Sequence, residues 1–126
     1  LMFIHNHIPT FSRMLEYQKK TKKKHMEKKE HKKKTAKQLE RHIKGIANHH
    51  RIDILLLVSR SPNVTVEQIT KHLNKNFKTI SEHTRRLVQA GLLNKEYQGR
   101  NVIHVLSPYG KEFAKFIIQF QTFQHS

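Results

Sequence analysis

Between Thr65 and Leu106 the chain runs through a short capped helical pattern, a turn, a second helical pattern closed by Ala90-Gly91-Leu92, and two strand-like runs joined around Gly99-Arg100. Thr65-Val66-Glu67-Gln68 has the spacing of a capping box, and Val66, Ile69 and Leu73 behind it make a short amphipathic helix. Asn74 to Asn76 is the turn. From there Phe77, Ile80, Thr84, Leu87 and Val88 fall within a narrow arc at about 100° per residue, so the spacing turns them to the core. The opposite arc is then fixed: it holds Lys75, Lys78, Glu82, Arg85, Arg86 and Gln89, with Thr79 and His83 on one flank and Ser81 on the other. Gly91 is placed to end this helix in the left-handed conformation that glycine tolerates. Leu92–Tyr97 and Val102–Leu106 read as strands, and Gln98-Gly99-Arg100-Asn101 supplies the turn between them. This order sets one helix into a DNA groove and flanks it with a basic hairpin, so the first expectation is nucleic-acid binding.

The remaining elements surround that unit. Thr35 to Gln38 is a second capping-box pattern, and Leu39, Ile43 and Ile46 recur behind it, which predicts a helix from about residue 36 to 48. In Arg51–Ser59 the residues Ile52, Leu55, Leu56 and Ser59 share one side, and Ile54 and Val58 widen the apolar surface until the segment reads as the central buried helix. Ser61-Pro62-Asn63 stops it. Ser107-Pro108 is an N-cap with proline at the first helical position. Tyr109, Phe113, Phe116, Ile117, Phe120 and Phe123 then lie along one stripe, more aromatic surface than so small a domain easily hides. The stripe reads as a dimerisation helix; the plainer alternative is that it packs on the monomer core. The expected fold is mainly α with a small β-hairpin: a winged helix-turn-helix with a three-helix core, a wing, and flanking N- and C-terminal helices.

Composition narrows the partners. Twenty-five Lys and Arg against 9 Asp and Glu give a net charge of +16, a balance suited to a polyanion. Residues 1–44 carry 14 basic and 4 acidic side chains and residues 45–126 carry 11 and 5, so the part beyond the lysine-rich segment is still basic. Residues 17–44 hold twelve lysines, and the stretch up to Lys34 has too few apolar residues to bury a face. The expected organisation is a basic, disordered or frayed tail over 1–34 and one DNA-binding domain over 35–123, with Met14 a candidate start of translation. The tail either strengthens non-specific association through counterion release or plays no part in it. With no cysteine there is no disulfide and no thiolate metal site. The longest apolar run, Ile54–Val58, is far short of the ~20 residues that span a bilayer, so the expectation is a cytoplasmic, nucleoid-associated protein without a membrane partner.

The segments Ile46-Ala47-Asn48-His49-His50-Arg51-Ile52-Asp53-Ile54-Leu55, Val64 to Ile69, Lys78-Thr79-Ile80-Ser81-Glu82-His83, Leu87 to Leu93 and Gly99-Arg100 stand in an order and spacing that resembles the ArsR-type winged-helix transcriptional regulators. The resemblance covers roughly Thr35 to Phe120. It implies a homodimer whose first and last helices form the interface and whose recognition helix, Phe77 to Ala90, enters the major groove of an operator half-site, with Leu92 to Leu106 as the wing. The chain departs from the family's pattern at Lys75 and Phe77, at Thr84 where leucine is usual, and in the metal ligands, which are not matched.

Lys78, Thr79, Ser81 and Glu82 lie near the end of the helix that approaches base edges, with Lys suited to guanine acceptors and Glu to the cytosine amino donor. Lys75 and His83 border them, while Arg85 and Arg86 lie where phosphates are met. Arg100 at the hairpin tip, flanked by Gln98 and Asn101, suits the minor groove or the adjacent phosphates. A merely solvated face is the plainer alternative for both. The expected dimer interface comprises Leu39, Ile43, Ile46, Tyr109, Phe113, Phe116, Ile117 and Phe120. Eleven histidines invite a metal site, with His42, His49 and His50 the nearest to a cluster, but adjacent histidines on a helix diverge and no carboxylate stands at ligand spacing. No metal and no cofactor is expected, and no catalytic constellation is visible. The resulting expectation is a homodimeric repressor that binds double-stranded DNA at an inverted-repeat operator; the alternative is a winged-helix scaffold docking a protein through its aromatic C-terminal helix.

Overall fold

The computed structural model describes residues 10–30 and 33–125, with the backbone alone for 25–30. The chain divides into two compact units, residues 1–35 and 36–126. In the first, α1 spans Phe11–Glu30. Its described side chains, through Lys24, are all exposed, as a lysine-dense helix without an apolar stripe requires. Of the expected tail over 1–34, residues 1–9, 31 and 32 lie outside the described residues.

The second unit contains α2 (Ala36–Ile46), α3 (His49–Arg60), α4 (Val66–Leu73), α5 (Phe77–Gln89), β1 (Leu93–Gln98), β2 (Asn101–Leu106) and α6 (Pro108–Thr122). At its centre α3 packs against α2, α4, α5, α6 and β2. A helix enclosed in this way buries more than one stripe: Ile54, Leu55, Leu57 and Val58 are all buried, whereas Leu56 and Ser59, expected inside, are half-buried. Asn48 starts α3 by accepting from the backbone N–H groups of His50 and Arg51. The capping box of α4 forms as its spacing predicts: Thr65 Oγ1 accepts from Gln68 N, and Gln68 Oε1 accepts from Thr65 N. Asn74, at φ 50, turns the chain out of α4, and Asn76 opens α5 by accepting from Lys78 N and Thr79 N.

The other end of α5 is closed with equal care. Gly91 takes φ +75, and its N–H reaches Val88 O while Leu92 N reaches Leu87 O, the paired bonds of a left-handed helix stop. From α2, Arg41 Nη2 donates to Gln89 O at 2.8 Å and the ring of buried His42 donates from Nδ1 to Ala90 O at 2.7 Å, satisfying carbonyls that the helix leaves open. His42 therefore serves the end of α5 and stands apart from His49 and His50.

The strands β1 and β2 pair antiparallel from Leu93↔Leu106 to Gln98↔Asn101, leaving Gly99-Arg100 as a two-residue loop. An isolated bridge, His104 N to Val64 O at 2.8 Å, ties the segment before α4 to β2. Ser107 joins the hairpin to α6. Its Oγ donates to Gly91 O and accepts from Gly110 N, and Gly110 lies so close to the Leu92 carbonyl that any Cβ there would overlap it. Among the described residues no helix is long and apolar enough to cross a membrane.

Candidate nucleic-acid interface

The inner face of α5 fixes what its outer face presents. Ile80 and Leu87 are completely buried and Thr84 nearly so. Burial of side chains this size is worth about 1.5–3 kcal/mol each, against ~0.2–1 for an exposed ion pair, so packing decides the orientation of α5 and the surface charges follow it. Lys75, Lys78, Arg85, Arg86 and Gln89 stand exposed on the other side. Phe77 departs from the expected inner arc: it is 51% exposed, because at the first turn of α5 that arc meets an open cleft beside the hairpin instead of the core. Thr79 and Ser81 are half-buried on the two flanks.

Glu82 is engaged within the protein. Arg85 donates to both its carboxylate oxygens, at 2.7 and 3.3 Å, and Arg86 Nε donates to Oε1 at 3.2 Å. The hydrogen bond from Arg85, reinforced by the charges of Arg85 and Arg86, holds the Glu82 carboxyl below its usual range, and Glu82 in turn raises Arg85. The three side chains form one cationic group spread along the helix.

His83 points away from this surface. Half-buried, it accepts at Nδ1 from Arg51 Nη1 of α3 at 3.2 Å and stacks on the His50 ring at 5.1 Å. Burial first, then the neighbouring charges of Arg51, His50 and Arg86, lower its pKa. These contacts place His83 between α3 and α5. Among the described residues no three His, Asp or Glu side chains are grouped to hold a metal ion.

On the hairpin, Gln98, Arg100 and Asn101 are exposed around the loop. They are joined by Lys95, which the motif reading passed over. It pairs with His104 across the strands, and strand alternation places it on the same face as Val102 and His104. Arg85, Lys95 and Arg100 together line the cleft of about 390 Å³ between α5, the start of α4 and the hairpin. The outer face of α5 and the hairpin thus both carry exposed basic side chains, and Arg85, Lys95 and Arg100 meet at one cleft.

Of the expected dimer residues, Leu39 and Ile43 on α2 and Tyr109, Phe116 and Phe120 on α6 are exposed, while Phe113 and Ile117 are half-buried against the core. Ile46 is taken up by the chain's own core and is buried there.

Residues 48–95 match the model of the bacterial regulatory protein, arsR family. No curated protein matches the chain significantly. Among solved structures, HlyU from Vibrio cholerae is similar with a TM-score of 0.62 and 22% identity, over 73% of this chain and 99% of that one. The homodimeric winged helix-turn-helix DNA-binding domain of a "possible ArsR-family transcriptional regulator" from Mycobacterium bovis is similar with a TM-score of 0.62 and 22% identity, over 71% and 85%. The transcriptional repressor PagR of Bacillus anthracis gives 0.60 and 20%, over 64% and 93%. The matched segment runs from the N-cap of α3 through α4 and α5 into β1 and ends before Gln98, Arg100 and Asn101. Residues 48–95 are therefore similar to the arsR family of bacterial regulatory proteins, and the chain has the winged helix-turn-helix fold of these solved structures.

Proposed function

We propose that this chain is a DNA-binding transcriptional regulator that acts as a homodimer and represses from an inverted-repeat operator. One observation carries the reading: α5 buries Ile80, Thr84 and Leu87 and turns Lys78, Arg85 and Arg86 outward, with Lys75 exposed in the turn before it, beside a wing bearing Lys95 and Arg100. Such a helix is suited to a major groove, where Lys78, Thr79 and Ser81 approach base edges from its first turns and the arginines meet phosphates. Gln98, Arg100 and Asn101 then reach the neighbouring minor groove or its phosphates. Exposed Leu39 and Ile43 with Tyr109, Phe116 and Phe120 supply an apolar surface for a second copy, and the similar Mycobacterium bovis domain is a homodimer.

Selection of bound duplexes from a random pool tests this directly. The expected product is an inverted repeat with half-sites about one helical turn apart, 10–10.5 base pairs. A pool that stays random, together with a monomer in gel filtration, would instead favour the scaffold reading, in which the aromatic face of α6 docks a different protein.

A further inference from the structure

We propose that the cleft between α5, the first turn of α4 and the hairpin is a binding site for a small organic anion. Two buried, unpartnered polar atoms carry the inference. Thr84 is 2% exposed and His104 1%, both line the cleft, and among the described residues Thr84 Oγ1 and His104 Nδ1 are buried without a hydrogen-bond partner. Folded proteins leave few such atoms, and two of them on residues that line one cavity mark a place where a guest supplies the missing bonds.

The rest of the lining says what the guest is. Lys95 and Arg100 line the cleft with Arg85, which Glu82 partly neutralises, and the lining holds one carboxylate, Glu67, so the charge it accommodates is negative. Val66, Val102 and the open ring of Phe77 give it apolar walls, which a bare inorganic anion would leave wet. The volume of about 390 Å³ lies in the range of small-molecule sites. A small apolar body with a carboxylate at the rim fits all three features. The site stands independently of DNA binding; its regulatory consequence rests on the function proposed above. Arg85 and Arg100 belong to both surfaces, so a bound anion opposes backbone phosphates.

The full chain, labelled with 15N, is titrated with benzoate and separately with inorganic phosphate, without DNA. Benzoate is expected to give saturable shifts at the amides of Thr84, Val102 and His104 in the millimolar range, the affinity open to a fitted ligand of its size, and phosphate to bind about tenfold more weakly. Thr84→Val keeps the shape and removes the hydroxyl. It is expected to weaken benzoate about tenfold and to raise the melting temperature by roughly 4 °C, since an unpaired buried group is lost. No saturation by roughly 50 mM benzoate, equal response to phosphate, or a Thr84→Val protein that melts lower than the parent would each overturn the site. In a DNA titration, benzoate is expected to weaken the parent and spare Thr84→Val; equal weakening of both is a salt effect and overturns the coupling.

Discussion

Glu82 illustrates how a residue suited to reading a base can be drawn into a different task. Its carboxylate is shared between Arg85 and Arg86, which orders two guanidinium groups and offsets part of their charge. Glu82→Gln therefore adds a net positive charge to the surface and loosens both arginines. Anisotropy titrations across several salt concentrations are expected to show tighter binding to all duplexes and a salt slope steeper by about one unit, whereas Arg100→Ala weakens all duplexes about equally and flattens the slope by about one. An operator-selective loss in Glu82→Gln would return Glu82 to the base edge.

His104 carries the second prediction at this scale. Burial lowers its pKa from the ordinary 6.5, against smaller opposing effects of the Val64 carbonyl and Glu67. With the folded pKa depressed, the unfolded chain binds the proton more readily, so the stabilisation is present above about pH 6.5 and is lost as the pH falls below it. Thermal unfolding is expected at a lower temperature at pH 5.5 than at pH 7.5, with the difference reduced in His104→Asn; an unchanged difference would assign the pH dependence to His83, whose pKa is also lowered by burial.

Among the elements, the junction at Ser107 decides how rigidly the wing and α6 are held to α5. Ser107 Oγ bridges Gly91 O and Gly110 N, and Gly110 leaves no room for a Cβ beside the Leu92 carbonyl. Gly110→Ala must shift backbone, and the expected loss is about 1–3 kcal/mol in chemical denaturation; a neutral result would show that α6 slides freely at its first turn. Ser107-Pro108 announced this helix start in the sequence, just as Thr65–Gln68 announced α4 and Gly91 the end of α5, because caps are local chemistry and leave local signatures. What depended on neighbours was less legible. Phe77 obeys the helical arc yet faces the cleft, since periodicity describes direction and not whether anything stands there. The burial of Leu57 needs the helices around α3, and the turning of His83 toward Arg51 depends on a partner on another element. The basic surface was readable because charge and period coincide on α5. Its completion by Lys95 depended on strand pairing, which places it opposite His104.

At the scale of the whole molecule, α6 presents an aromatic surface that its own core does not cover. Gly110 and Ala114 are the buried positions of this helix, small residues that let it lie close to the core, and they leave the rings on the outside: Phe116 is 59% exposed and Phe120 69%, packed on each other at 5.6 Å. Each such ring buries about 150–250 Å² when covered, worth several kcal/mol per pair at ~25 cal/mol per Å², enough to drive association even for a strongly cationic chain. A glutamate at either position keeps the protomer's packing, because neither ring is buried in it, but places a charge in a surface that a second copy would desolvate. Phe116→Glu and Phe120→Glu are accordingly expected to unfold like the parent, to sediment as monomers at concentrations where the parent is a dimer, and to lose operator affinity while keeping weak non-specific binding, since one recognition helix cannot span two half-sites. If both variants remain dimeric, the interface lies elsewhere on the protomer and the aromatic face is open to a different partner.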